Sequence, residues 1–225
     1  MNTAVRAKPS VMPKLFLAFV VVCVVLALAA LLLRRHLSAE SYMLQSSAPA
    51  GGTPLWTAPA FSAIDHRGRR VTNASLRGAP FVADFIFTRC TTLCPLITAQ
   101  FVQLQHRTGQ RALRFVSFSV DPDHDDVPAL RKFAGAWNPD EPRWHVLATS
   151  WQTLAELIPG YRVTVRRTSD RNNPLIHSNA FFLVDAQGMV RGVYDSSDQR
   201  DLDRLTRDAF AVSTSDAAPQ NLARP

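Results

Sequence analysis

The chain has 225 residues, 47% of them hydrophobic, enough to bury one full core but not two. Lysine and arginine number 25 against 18 acidic residues, a net charge of +7 that is partly concentrated beside one apolar run. The other cations are scattered and form no stripe interleaved with aromatics, so no nucleic-acid interface is expected.

Residues 1–14, with Arg6, Lys8 and Lys14, read as a short cytoplasmic N-terminus. From Leu15 to Leu33 the chain runs LFLAFVVVCVVLALAALLL, 19 residues without charge or proline. Roughly 20 residues at about 1.5 Å rise each cross a hydrocarbon core about 30 Å thick. A cleaved signal peptide has a shorter apolar core, of about 7–15 residues. The Ala27-Leu28-Ala29 triplet resembles its cleavage site but lies inside the run, and lipoprotein processing at Cys23 needs a small residue where Val22 stands. Residues 15–33 are therefore expected to form one uncleaved transmembrane helix. Arg34 and Arg35 make the second flank basic as well. A cytoplasmic N-terminus is the simpler arrangement, and it places everything after Ser38 on the periplasmic side of a bacterial-type inner membrane.

Residues 34–55 read as a flexible linker, because SAESYMLQSSAPAGGTPL is rich in Ser, Ala, Pro and Gly and lacks periodic apolar residues. A domain over 56–212 and a disordered tail over 213–225 follow. FSAIDHRGRRVT suggests a short hairpin turning at Asp65 to Gly68. PFVADFIFT, Pro80 to Thr88, is almost continuously apolar, as a central strand buried on both faces should be. Ile97, Phe101 and Leu104 recur at helical spacing, and LRFVSFSVD reads as a second buried strand. Leu130, Phe133, Ala134 and Trp137 mark another helix, with Asp126 as its N-cap and Pro128 in its first turn.

WHVL is then a short strand, and Trp151, Leu154, Ala155 and Ile158 suggest a third helical face. NAFFLVDAQGMVRGVYD reads as a hairpin turning at Asp185 to Gly188, and Leu202, Leu205 and Ala209 mark a last helix. The order β-α-β-α-β-α-β-β-α predicts an α/β domain with a mixed sheet flanked by helices.

Of three cysteines, Cys23 sits in the apolar run, which leaves one pair, Cys90 and Cys94, in the outer domain. That pair lies where the buried strand runs into a helix start at Pro95. Two cysteines four apart on a helix share a face, with Cα atoms about 6 Å apart, inside the range a disulfide bridges. Backbone N–H groups and the helix dipole favour thiolate there, the form that binds soft metals and attacks disulfides. A static disulfide or two buried thiols is the plainer alternative. Two thiolates satisfy Cu(I), and an imidazole completes a trigonal site or admits Cu(II). His36 and His66 fall in the juxtamembrane region and a turn. His106 ends a helix, and His124 and His145 lie at strand edges. His177 immediately precedes the strand NAFFLVD, whose leading loop in a thioredoxin-like sheet faces the junction that carries the cysteines.

With FIFTRCTTLCP, FVSFSVDPDHD and HSNAFFLVDAQG, the chain resembles the Sco (SenC) family of copper-binding cytochrome oxidase assembly proteins over about residues 56–212. The resemblance implies a thioredoxin fold binding one copper ion per chain, Cu(I) or Cu(II), through Cys90, Cys94 and His177. It further implies a partner, cytochrome c oxidase subunit II, whose binuclear copper site the family loads with metal or keeps reduced. An extracytoplasmic thiol reductant and a further copper carrier complete the implied set. Thr91 departs from the proline that many relatives carry after the first cysteine. Asp121 matches the family and reads as a support beside the site.

Three rivals use the same residues. A thiol–disulfide oxidoreductase usually carries C-x-x-C and a cis-proline before the strand at Phe181, yet no proline lies between Leu175 and Asp185. That counts against general exchange but leaves reduction of one dedicated partner open. A peroxiredoxin needs proline where Phe87 stands. A copper or redox sensor could use the same site.

Overall fold

A computed structural model describes residues 21–29, 53–91, 94–109, 112–137, 142–168 and 175–215, with the backbone alone at 167, 175–177 and 215. The chain divides into two units, Met1–Gln45 and Ser46–Pro225. In the first, residues 21–29 are helical (α1) and exposed. Among the described residues no helix is long and apolar enough to cross a membrane. The rest of the expected anchor, the N-terminus, the linker up to residue 52 and the tail beyond 215 lie outside the described residues.

The second unit is built on an eight-stranded sheet. Its strands in chain order are β1 (Trp56–Thr57), β2 (Ser62–Asp65), β3 (Arg70–Thr72), β4 (Phe81–Ile86), β5 (Arg114–Ser119), β6 (Trp144–Ala148), β9 (Ala180–Val184) and β10 (Met189–Asp195). They lie side by side as β1-β10-β9-β4-β5-β6-β2-β3. The central β4, β5 and β6 are parallel and every other pairing is antiparallel, giving the mixed sheet expected. Two further strands, β7 (Val165–Arg167) and β8 (Leu175–His177), form a separate antiparallel ribbon.

Strand β4 is buried at all six positions because its alternating side chains feed two cores. Phe81, Ala83 and Phe85 join an aromatic cluster with Phe118, Tyr161 and Phe182, covered by α5 (Trp151–Gly160) through Leu154 and Leu157. Val82 and Ile86 join the opposite core. It is formed with α3 (Cys94–Thr108), α4 (Val127–Trp137) and α6 (Gln199–Ser215) and centred on Phe101, Phe115 and Trp144. A single-turn helix, α2 (Asn73–Leu76), is closed by a capping box in which Thr72 and Ser75 exchange bonds.

Several details differ from the sequence reading. The α5 face is rotated: Trp151 and Ala155 are exposed and Leu157, not Ala155, is in the core. The Trp151 indole instead donates to Asp123 at 2.9 Å. Helix α6 runs to Ser215, three residues past the expected domain end. Asp126 does cap α4, accepting from the Ala129 N–H at 2.8 Å.

The predicted hairpin carries a polar knot. Asp65 is fully buried and accepts from the Arg67 and Arg69 N–H groups, the Arg69 guanidinium and His145 Nδ1. Burial alone would raise its carboxyl, but these bonds hold it near about 2. Next to it, burial and then the Arg67 charge push His66 down to about 4, and its Nδ1 accepts from the Val146 N–H at 3.2 Å. An unfolded histidine titrates near about 6.5, so between roughly pH 6.5 and 4 the unfolded chain takes up a proton that the native chain refuses. Stability from neutral His66 is therefore full above that window and lost on descending through it, by on the order of 2–3 kcal/mol. Urea unfolding at pH 7 and 4.5 should show that fall in the wild type and a flatter profile in His66→Gln.

Candidate metal centre

The parallel arrangement of β4, β5 and β6 puts their C-terminal ends on one end of the sheet, and the loops leaving β4 and β5 build the site. After β4 the chain makes a tight turn, closed by the Cys90 N–H donating to the Phe87 carbonyl at 3.3 Å. Helix α3 then begins at Cys94. Cys90 thus lies in the turn before the helix, not on the helix as its spacing suggested. The two sulfurs still meet, because the Cys94 N–H donates to Cys90 Sγ at 3.3 Å. No disulfide joins them.

The pair is asymmetric. Cys90 is partly exposed, whereas Cys94 is 2% exposed and packed in the first core. Burial, followed by the hydrogen bond with Cys90 and the charges of Cys90 and Asp84, pushes the Cys94 thiol up. The thiolate-favouring effect of a helix start, expected for both sulfurs, is therefore outweighed at Cys94 by loss of water.

The turn is held from the end of β5 and the loop that follows it. Asp125, 1% exposed, accepts from the Thr88 N–H at 3.1 Å, the Thr88 hydroxyl at 2.6 Å and the Ser119 hydroxyl at 2.6 Å. Burial raises its carboxyl, and these bonds offset part of the effect. Asp121, also buried, receives the Arg89 guanidinium at 2.7 Å and lies 2.9 Å from His124 Nδ1. Burial would raise it too, but His124 and Arg89 hold it below the usual carboxylate value. Asp121 therefore braces the residue preceding Cys90. The sequence reading singled out Asp121 but passed over Thr88 and Asp125, although both stand in quoted motifs.

His177 closes β8 with its backbone paired to Val165, and its side chain lies outside the described residues. Its ribbon is positioned from α5. That helix ends with Arg162 in the left-handed region, φ 56°, while the Val163 N–H reaches back to the Ile158 carbonyl and the Arg162 N–H to Pro159. The Arg162 guanidinium stacks 4.2 Å over the Trp56 ring, and Val165 packs on the same core as Cys90. After His177 the chain enters β9, antiparallel to β4 with Phe182 opposite Ala83. The start of β9 therefore lies towards the end of β4 from which the cysteine turn departs. Among the described residues no three His, Cys, Asp or Glu side chains cluster closely enough to hold a metal. The donor set near the turn is the two sulfurs, which suit a soft ion.

A thioredoxin-like sheet with a dithiol at the strand-to-helix junction defines a class of redox and metal-handling proteins. The family model described as SCO1/SenC matches residues 52–209, and the chain belongs to that family. It is 31% identical over 158 residues to the SCO1 protein homolog of Bacillus subtilis, covering 68% of this chain and 81% of that protein. It spans about half the length of the mitochondrial SCO2 homologues it matches. The structure of BsSco, described as a disulfide switch in a member of the Sco family of cytochrome c oxidase assembly proteins, superposes with a TM-score of 0.62 at 30% identity, covering 72% of this chain and 96% of that one. The copper-bound ScoI of Bradyrhizobium japonicum, 23% identical, shares the fold with a TM-score of 0.60, covering 70% of this chain and 99% of that one.

Proposed function

We propose that this chain is a membrane-tethered copper chaperone that binds one copper ion and helps assemble the binuclear copper site of cytochrome c oxidase subunit II on the periplasmic side. The observation that carries this reading is the sulfur pair itself, one sulfur reachable and one buried, linked by the Cys94 N–H on Cys90 Sγ. The turn is braced from the loop after β5 by two buried carboxylates. Copper, as cargo, is taken by reduced Cys90 and Cys94, and His177 completes the set. The partner's cysteines enter from the Cys90 side and capture the ion by ligand exchange. A disulfide offers no thiolate, so oxidation ends binding and an external reductant restores it. Residues 15–33 serve as the anchor. The family membership and the copper bound to the Bradyrhizobium protein support this reading.

The same asymmetry favours a second reading, a dedicated thiol reductase. Cys90 would attack the partner's disulfide and Cys94 would resolve the mixed disulfide. Copper stoichiometry separates the two. The full-length chain, reduced and reconstituted without oxygen, should hold one copper ion tightly. A readily cycling disulfide with no bound copper would favour the reductase. His177→Ala is expected to weaken Cu(II) binding far more than Cu(I) binding, because two sulfurs alone can hold Cu(I). Equal retention of both oxidation states would remove His177 from the site.

A further inference from the structure

At the end of the sheet opposite the cysteine turn lies a cleft of about 330 Å³, walled by Arg69, Arg70, Arg114 and His145 over an apolar floor of Val71 and Leu76. Arg114 opens β5 and His145 is second in β6, so both stand at the starts of the parallel strands, whereas the cysteine turn leaves the end of β4. Arg69 and Arg70 lie where β2 turns into β3. That turn is fixed beside β6 by the His66 N–H on the Val146 carbonyl and the Arg67 guanidinium on the Trp144 carbonyl, both at 2.8 Å.

No acidic side chain lines the cleft among the described residues. The nearest carboxylate, that of Asp65, is fully buried and already taken. Its oxygens receive the Arg69 guanidinium at 2.9 and 3.1 Å, His145 Nδ1 at 3.0 Å and two backbone N–H groups. Arg69 is thereby neutralised, and Arg70 and Arg114 are not. Arg70 donates to the Ser62 hydroxyl at 3.0 Å and Arg114 to the Ser75 carbonyl at 2.7 Å, both neutral acceptors. Each of those bonds pins one arm of a guanidinium fork and leaves its other donors for a ligand. Two pinned cations on one cleft repel each other until an anion lies between them.

We propose that this cleft is a phosphate-binding site in which Arg70 and Arg114 grip the oxyanion from two sides, with Arg69 at its edge. A phosphate offers oxygens to more than one fork at once, and its charge of about −1.5 to −2 as a monoester matches two unneutralised arginines. A carboxylate would occupy one fork and leave the second cation unmatched. The phosphate is either free or carried by the headgroup of an anionic lipid, and the contacts are the same. Held by a lipid, the domain would turn its cysteine end away from the bilayer.

The test follows the full-length chain by NMR in nanodiscs of phosphatidylcholine, titrated with inorganic phosphate at constant ionic strength. In a second arm the discs contain phosphatidylglycerol and no phosphate is added. The Arg70 and Ser75 amides and the His145 ring should shift in at least one arm, and saturably with phosphate. Shifts in the phosphate arm alone identify a free phosphate, and shifts in the lipid arm alone a headgroup. Arg70→Gln should raise the phosphate midpoint about tenfold and remove most of any lipid-induced shift. Its copper stoichiometry should match the wild type, because the cleft and the cysteines lie at opposite ends of the sheet. Arg114→Gln should weaken binding to a similar extent. If that variant does not fold, Arg70→Gln still decides, since Arg70 is exposed and bonds only the Ser62 hydroxyl. No shift in either arm, or shifts undiminished in Arg70→Gln, would overturn the proposal.

Discussion

Cys90→Ser should lower Cu(I) affinity by on the order of a thousandfold, about 4 kcal/mol, in anaerobic competition against a chromophoric Cu(I) chelator. Serine offers a hard oxygen that keeps its proton at neutral pH, where a thiolate would bind the soft ion. The fold should survive, because Cys90 is partly exposed in a turn and the Cys94 N–H can donate to a serine oxygen as it does to the sulfur. Unfolding midpoints of the two proteins should therefore stay close while their copper affinities diverge. Wild-type affinity in the variant would take Cys90 out of the site and the copper reading with it.

Asp125→Ala should damage both properties together. Its carboxylate is the acceptor for the Thr88 N–H, the Thr88 hydroxyl and the Ser119 hydroxyl, all at the junction between β4 and the cysteine turn. Removal leaves those donors without their acceptor, the Ser119 hydroxyl among them fully buried, at a cost of roughly 2–4 kcal/mol in urea unfolding. The released turn no longer fixes the Cys90 sulfur beside Cys94, and copper affinity should fall by about 10–100-fold, as for other outer supports of metal ligands. Asp125→Asn keeps one acceptor oxygen and should lie between. An Asp125→Ala protein with wild-type unfolding and copper binding would show that the turn holds its shape unaided.

Much of the fold is legible where burial is long and regular. The run Phe81 to Ile86 announces a central strand because both of its faces are apolar, and the alternation of Met189 to Asp195 announces a half-covered one. Some elements of two to four residues escape such reading. Strand β1, helix α2 and the β7–β8 ribbon are too short to show a period, and β1 exists only through its pairing with the distant β10. The α5 face was misjudged because tryptophan and alanine count as apolar in a pattern. In the fold, Trp151 turns outward to bond Asp123, twenty-eight residues earlier.

The site divides in the same way. A cysteine pair followed by proline, directly after a buried strand, points to sulfur chemistry from local sequence alone. The bracing of Thr88 by Asp125 spans 37 positions and is set only when β4 and β5 lie side by side. Asp84 did leave a signal, a single carboxylate inside an otherwise apolar run, and acidic residues are seldom buried without a partner. The burial of Cys94 left none, because a helix start is also where a thiol can stay wet.

The two margins of the sheet are short. One ends in the two residues of β1 and the other in the three of β3, which begins with Arg70. An open strand margin invites a neighbouring chain to add its own strand, and brevity and charge are two ways of refusing it. Copies crowded on one surface would meet one another far more often than copies dispersed in solution. With so little backbone to offer at either side, this domain can be crowded without its copies fusing edge to edge.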